Sequence, residues 1–229
     1  MMFMLFIKGV AAMVNQSIEN EITDYLKEKI LSGEFAVHDM VSERTICRQF
    51  NVSRTIVRQA FKTLKNSHWL YSRSTAGTFV APVDYEEVVD NYKARIVIEP
   101  EVLLMAYPNI SAVDIEEMKN SLQAIQTATV CDYYRLETGL HLLITHRSNN
   151  RFIIMAMEPM VETMNRLASL SIQGNDRVGA SYTEWNEIIT QLEKRDPQQA
   201  AFLLRRHMFN SFENFKKNWG QSPAGVMTP

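Results

Sequence analysis

The sequence predicts a mainly α protein: a small basic N-terminal domain of three helices and one β-hairpin, then an all-α helical bundle. Three observations carry this. Only eight Gly and seven Pro interrupt 229 residues, while Leu, Ile, Glu, Gln and Met, which lose little freedom in a helix, are frequent. Apolar residues recur at helical spacing along most of the chain, and strict alternation is confined to one stretch near residue 70. The formal net charge of −2 conceals opposite signs: ten Lys/Arg against seven Asp/Glu in residues 1–83, and fourteen against nineteen in residues 84–229.

The basic excess is sharpest between residues 40 and 75, where Arg44, Arg48, Arg54, Arg58, Lys62, Lys65 and Arg73 meet one acid, Glu43. A basic stretch inside an acidic chain suggests a local polyanion site. A solvated basic face would give the same count. With 46% hydrophobic and 22% charged residues the chain is globular rather than a disordered tail. Cys47 and Cys131 stand far apart without C-x-x-C spacing, which suggests neither a disulfide scaffold nor a thiolate zinc site and fits a reducing cytoplasm. The apolar opening MMFMLFIKGVAAMV lacks the basic start of a secretory signal, and Lys8 follows its apolar run. Residues 1–14 read as a flexible extension or as a start codon set upstream of Met13, and no later segment is long enough for a membrane partner.

Helix one is expected from Ile18, with Ile22, Tyr25, Leu26 and Ile30 on one face and Ser32-Gly33 as its stop. A short helix fits Ser42 to Phe50, with Ser42 as N-cap, then a tight turn at Asn51-Val52. Ser53 is placed to cap a third helix whose Ile56, Val57, Ala60, Phe61 and Leu64 turn inward while Arg54, Thr55, Arg58, Lys62 and Lys65 stay outside. Helix, turn and basic amphipathic helix make the helix-turn-helix plan. Arg54 and Arg58 are one turn apart, so two guanidinium groups can enter a major groove together, and arginine pairs bidentately with guanine O6 and N7. Ser53, Thr55 and the first backbone amides of that helix suit a phosphate. WLYSR, STA and GTFVA then read as a hairpin, with Arg73 at its tip and Gly77 where the chain leaves the turn. A hairpin that only covers the core is the alternative.

The domain boundaries expected are 15–81 for this unit, 82–90 for an acidic linker, 91–219 for the bundle and 220–229 for a tail. Helices are expected near 85–106, 111–129, 131–147, 150–172, 177–194 and 197–218, with Ser111, Asn150 and Asp196 at starts and Pro108 and Gly174 as punctuators. Arg95, Glu137, His141 and His207 are the polar residues expected inside. Glu137 and His141 are four apart and can share a cation, with His207 as a third ligand. A surface pair is the bland alternative. His146, five residues from His141, points elsewhere. Met155, Met157, Met160 and Met164 are expected to line the core or a pocket, and Cys47 to be packing material.

From Asn15 to Val80 the sequence resembles the GntR-type bacterial transcription regulators and their winged helix-turn-helix. The resemblance rests on Leu26, Ile30 and Gly33, on Ser42-Glu43-Arg44, on VSRTIVRQAFKTL from Val52 to Leu64, and on the wing GTFV from Gly77 to Val80. It implies that Arg44, Arg54 and Arg58 contact DNA, with Thr55 at phosphates or bases and Gly77 near the minor groove. The family's Pro-Gly before helix two is Val37-His38-Asp39 here, and its Gly ahead of the wing is His68.

Residues 91–217 resemble the C-terminal domain of the FadR subgroup, a bundle of six or seven helices that in many members holds a divalent metal through Asp, His, His and His. The matching stretches are Arg95-x-x-x-Glu99, ETGLH with the following SNN up to Asn150, and the Asp196-x-x-x-Ala200 segment leading to His207. On this resemblance Glu137 stands for the Asp, His141 and His207 are kept, and the third position falls on Trp185. Two readings follow. Glu137, His141 and His207 hold Zn or a similar ion with a water or effector completing the shell; or the indole fills the site and the histidines meet an organic anion directly. Arg95, with its planar fork, suits an effector carboxylate, or forms an internal salt bridge to Glu99.

The expectation is therefore a non-enzymatic, cytoplasmic, homodimeric regulator, a metabolite-responsive repressor that binds a palindromic double-stranded DNA operator. Its effector, an organic acid or a fatty acyl ligand, would enter the bundle at Arg95, Glu137, His141, Trp185 and His207. Two alternatives stand beside it: a metal-dependent hydrolase centred on Glu137, His141 and His207, and a protein-interaction module.

Overall fold

The computed structural model describes residues 18–128, 130–171 and 176–219. The expectations for 1–14, 220–229 and Gly174 lie outside them. The chain divides into two compact units at Pro82 and Val83.

The first unit opens with α1 (18–31), which buries Ile22, Leu26 and Ile30 at the i, i+4, i+8 spacing of one helical face. Gly33 ends it at φ +76°, a left-handed conformation that suits glycine. Ser42 caps α2 (Glu43–Phe50) by accepting from the Thr45 amide, and Asn51 closes it in the left-handed region. α3 (Arg54–Asn66) follows and buries Val57, Ala60, Phe61 and Leu64. β1 (Leu70–Arg73) and β2 (Gly77–Val80) pair antiparallel, with Leu70 opposite Val80 and Arg73 opposite Gly77, across a short 3-10 turn. Asp39 and Val41 hydrogen-bond to the outer edge of β2, so the hairpin is anchored to the segment before α2. Trp69 and Phe61 are the largest side chains in this core.

Two family departures gain a geometric meaning here. His38 lies at φ 70° and His68 at φ 59°, left-handed positions where glycine would be free of strain. Both bends are made here with imidazole-bearing residues.

The second unit contains, among the described residues, α4 (Tyr85–Ala106), α5 (Ala112–Ile125), α6 (Val130–Arg147), α7 (Arg151–Ser171), α8 (Asp176–Glu193) and α9 (Pro197–Asn218). Their starts are written in capping side chains. Ser111 and Asp114 form a reciprocal capping box on α5. Asn150 accepts from the Phe152 and Ile153 amides, and Asp196 accepts from the Gln199 amide ahead of Pro197. The segment expected as a linker through residue 90 is shorter, because Asp84 accepts from the Glu86 and Glu87 amides and starts α4 at Tyr85. α4 packs on α9, α8 on α9 and α5, and α6 on α4, α5 and α7. Trp185, Ile188, Tyr133, Leu140 and Leu204 are at the centre of this core.

The methionine expectation needs correction in part. Met157 is fully buried, but Met155 is 69% exposed. Two residues on a helix diverge by about 200°, so the pair cannot share a face. The side chain of Met164 lies outside those described.

Candidate DNA interface and effector site

The sequence-predicted DNA residues lie on the surface of the first unit. Arg44, Ser53, Arg54, Thr55, Arg58, Arg73 and Gly77 are all exposed. Arg54 and Arg58 project from the first turns of α3, whose first turn carries no acid to compete with an anion. Ser53 occupies the N-cap position, yet its hydroxyl makes no capping hydrogen bond. The hydroxyl and the first amides of α3 therefore form a donor set for a phosphate. Arg58 is not loose: its Nε donates to Glu43 Oε2 at 3.1 Å and Oε1 at 3.3 Å. That pairing fixes the guanidinium from one side. Gly77 has φ +120°, beyond the reach of L side chains without strain, so the wing turn depends on it.

In the second unit, His141, Trp185 and His207 pack together, Arg95 reaches His141 through Glu99, and Glu137 faces His207. The imidazoles of His141 and His207 are 5.5 Å apart between ring centroids, and the Trp185 ring lies 4.9 Å from the first and 5.3 Å from the second. All three rings are buried. Glu99 lies between Arg95 and His141: it accepts from Arg95 Nε and approaches His141 Nδ1 at 2.5 Å. Arg95 thus has the salt bridge to Glu99 that stood as the alternative to free carboxylate binding. His207 Nδ1 is 2.8 Å from Glu184 Oε2, and its Nε2 is 3.5 Å from Glu137 Oε1. His146, in contrast, pairs with Glu158 at the surface.

Sequence reasoning missed one helix face. Arg177, Ser181 and Glu184 share the inward stripe of α8 with Trp185. The Arg177 guanidinium reaches Glu184 at 2.8 Å, Ser211 at 2.6 Å and His207 Nδ1 at 3.2 Å. Ser181 donates to Glu137, and Asn210 donates to Glu184 at 2.6 Å. The spacing 177, 181, 184, 185, 188 was the available signal, being that of one helical face.

Burial shapes the electrostatics, and specific partners outweigh it. Burial alone would raise the Glu184 carboxyl, but hydrogen bonds from His207 and Arg177 hold it down at about 2. Glu99 is likewise opposed by burial and held at about 2 by the charges of Arg95 and His141. Glu137 falls below the usual range because His207 and Arg177 overcome its burial. Burial pushes His207 down, with Glu184 pulling the other way. The lasting positive charge beside these groups is that of Arg177. A cleft of about 520 Å3, lined by Ala128, Tyr133, Val178, Gly179 and Tyr182 among others, falls in the size range of small-molecule sites. Tyr133 on the cleft wall is electrostatically coupled to Ser181 and Glu137, and Ser181 in turn donates to Glu137, which faces His207.

Two family models match the chain, bacterial regulatory proteins of the gntR family over residues 18–80 and the FCD domain over residues 90–210. The chain belongs to the GntR family of regulators, with an FCD domain. Among relatives of this family, the HTH-type transcriptional repressor RspR of Escherichia coli is 22% identical over 88% of this chain and 90% of its own length. The HTH-type regulator YdhC of Bacillus subtilis is 22% identical over 83% and 88%. Solved folds agree: E. coli McbR/YncC superposes with a TM-score of 0.74 at 16% identity, covering 88% of this chain and 98% of its own. A GntR regulator from Rhodococcus gives 0.73 at 19% identity, covering 89% and 99%. A metal-free FCD domain gives 0.52 at 22% identity over 59% of this chain and 96% of its own.

This GntR-family chain is a transcription regulator and not an enzyme, and the hydrolase alternative has no support. The metal expectation meets a physical obstacle. Among the described residues, no group of three or more His, Cys, Asp or Glu side chains is arranged to hold an ion. Glu137 is engaged by Ser181 and faces His207 directly. Trp185, where the resemblance puts the third ligand, brings an indole N–H, which is a donor and cannot ligate a cation. That Nε1 is buried and has no hydrogen-bond partner among the described residues. The residues present do not fit the four-ligand site. Among the described residues, no helix is long and apolar enough to cross a membrane.

Proposed function

We propose that this regulator is a metabolite-responsive repressor whose α3 reads a palindromic operator as a homodimer in the cytoplasm. The observation that carries the DNA reading is the exposed, acid-free first turn of α3, with Arg54 and Arg58 one turn apart. Arg54 and Arg58 would contact base edges; Ser53, Thr55 and Arg44 would hold phosphates; Arg73 and Gly77 would bring the wing to the adjacent groove. Glu43 would present Arg58 with part of its ordering already made.

Support for a homodimer comes from α4 and α9. Val97, Met105, Phe202 and Phe209 are exposed apolar side chains around the ion pair of Glu101 with Arg205 at 3.3 Å. A patch carrying both signs of charge and a shared apolar rim is self-complementary, as a two-fold interface requires. The effector would be a small organic acid entering beside Tyr133 and acting on the Ser181, Glu137 and His207 network, with Arg95 and His141 behind it. Its binding would alter operator affinity, and operator binding would alter effector affinity by the same factor.

Selection of bound sequences from randomised duplex DNA, at defined salt, tests this. An enriched palindrome that disappears in an Arg54→Ala, Arg58→Ala double variant is expected. A folded wild-type protein that enriches nothing, and whose binding to an acidic protein resists DNA competition, would replace it with the interaction-module reading.

A further inference from the structure

We infer that the buried site of the FCD unit is metal-independent, with Arg177 supplying from inside the protein the positive charge that a divalent ion would bring. This rests on the reading of that site as the effector site. It follows from three features of the site. First, Arg177 is buried and its guanidinium lies within hydrogen-bond distance of Glu184, Ser211 and the His207 ring. A divalent ion shared by Glu137 and His207 Nε2 would lie across the imidazole from the fixed cation at Nδ1, in a poorly solvated interior where like charges repel. Second, the carboxylates are already partnered. Glu99 is taken by Arg95 and His141, Glu184 by Arg177, His207 and Asn210, and Glu137 by Ser181. Two buried guanidinium groups, Arg95 and Arg177, already stand beside these carboxylates. Third, the position opposite the two imidazoles holds the Trp185 ring, in contact with both.

The same arrangement defines what the site does recognise. Trp185 Nε1 is a buried donor with no partner among the described residues, which costs free energy until an acceptor arrives. An organic molecule with a carbonyl or carboxylate oxygen supplies that acceptor, and binds with no metal bridge between it and the protein.

The test uses the full chain without a polyhistidine tag, purified without chelator. Metal content is measured by plasma mass spectrometry, and thermal unfolding is followed with excess Zn2+, Ni2+ or Mn2+ and with EDTA. The expected result is far less than one ion per chain and an unchanged Tm under every condition. About one ion per chain, removed by EDTA with a fall in Tm, would overturn the inference. Trp185→His is expected to take up Zn2+ with a rise in Tm of several degrees, and Trp185→His with Arg177→Met to take it up more tightly. If both variants fold and neither gains an ion, Trp185 and Arg177 are not what excludes the metal, and that part of the inference fails. If the variants do not fold, the wild-type measurements decide alone. None of these readouts involves DNA, so failure of the operator selection leaves them intact.

Discussion

The two units use the same ionic side chains in opposite ways. In the first, Arg44, Arg54 and Arg73 stand in solvent and Arg58 is tied on one side only. In the second, Arg95 and Arg177 are buried, and each meets a carboxylate. An exposed arginine keeps its hydration and waits for an external anion at little cost to the fold. A buried one is tolerated only with its partners in place, so its removal leaves carboxylates stranded in a dry interior. Substitutions in the first unit should therefore spoil binding and spare stability, whereas those in the second should do the reverse.

Arg177→Met tests that contrast most severely. It should destabilise the FCD unit by about 3–5 kcal/mol, because Glu184 and Glu137 lose their cation. Urea unfolding measures it, and a loss of less than about 1 kcal/mol would mean the network is not what holds α8 to α9. Next in size are Arg54→Ala and Arg58→Ala, each expected to remove about 1–3 kcal/mol of base discrimination. Unfolding midpoints should remain at the wild-type value; a large drop would show that these arginines support the fold.

The pH dependence of the second unit sharpens the comparison. Arg147 and the Ser111 amide hold the Asp114 carboxyl well below its ordinary value. A carboxyl with a lower pKa folded than unfolded stabilises above its unfolded pKa of about 3.9, and that stabilisation is lost as the pH falls below it. Asp114→Asn should therefore flatten the fall of stability between about pH 5 and pH 2. A profile parallel to wild type would contradict the assignment. The smallest effect is expected at His68, in the first unit. Relief of left-handed strain, about 1–2 kcal/mol, less the added freedom of unfolded glycine, about 0.5–1 kcal/mol, predicts that His68→Gly gains about 0.5 kcal/mol. A Tm below wild type would show that the contacts of the His68 side chain outweigh its backbone.

Much of this was legible in the chain because local chemistry and global fold agree. Ser42, Ser111, Asn150 and Asp196 mark helix starts because their short side chains reach orphan amides. The change of period after Leu64 located the hairpin. What stayed hidden depends on tertiary partners. The sequence shows that Arg177 and Glu184 share a face but not that His207 and Ser211 close over it. The helix expected over 85–106 is the one found, and the linker boundary drawn to residue 90 overlapped it because the acids of Asp84-Tyr85-Glu86-Glu87 resemble a solvated segment, although Asp84 is a cap. His38 and His68 were visible as departures, but their left-handed backbone was not, because φ is set by the surrounding fold.

The position of Trp185 has an optical consequence. The chain holds three tryptophans, and this one is fully buried between two imidazoles, side chains that quench indole emission when protonated. Replacing Trp69 and Trp219 with phenylalanine would leave a single tryptophan, inside the FCD unit. Its intensity and wavelength would then report the arrival of a small molecule directly, with no label and no operator, whatever the chemical identity of that molecule.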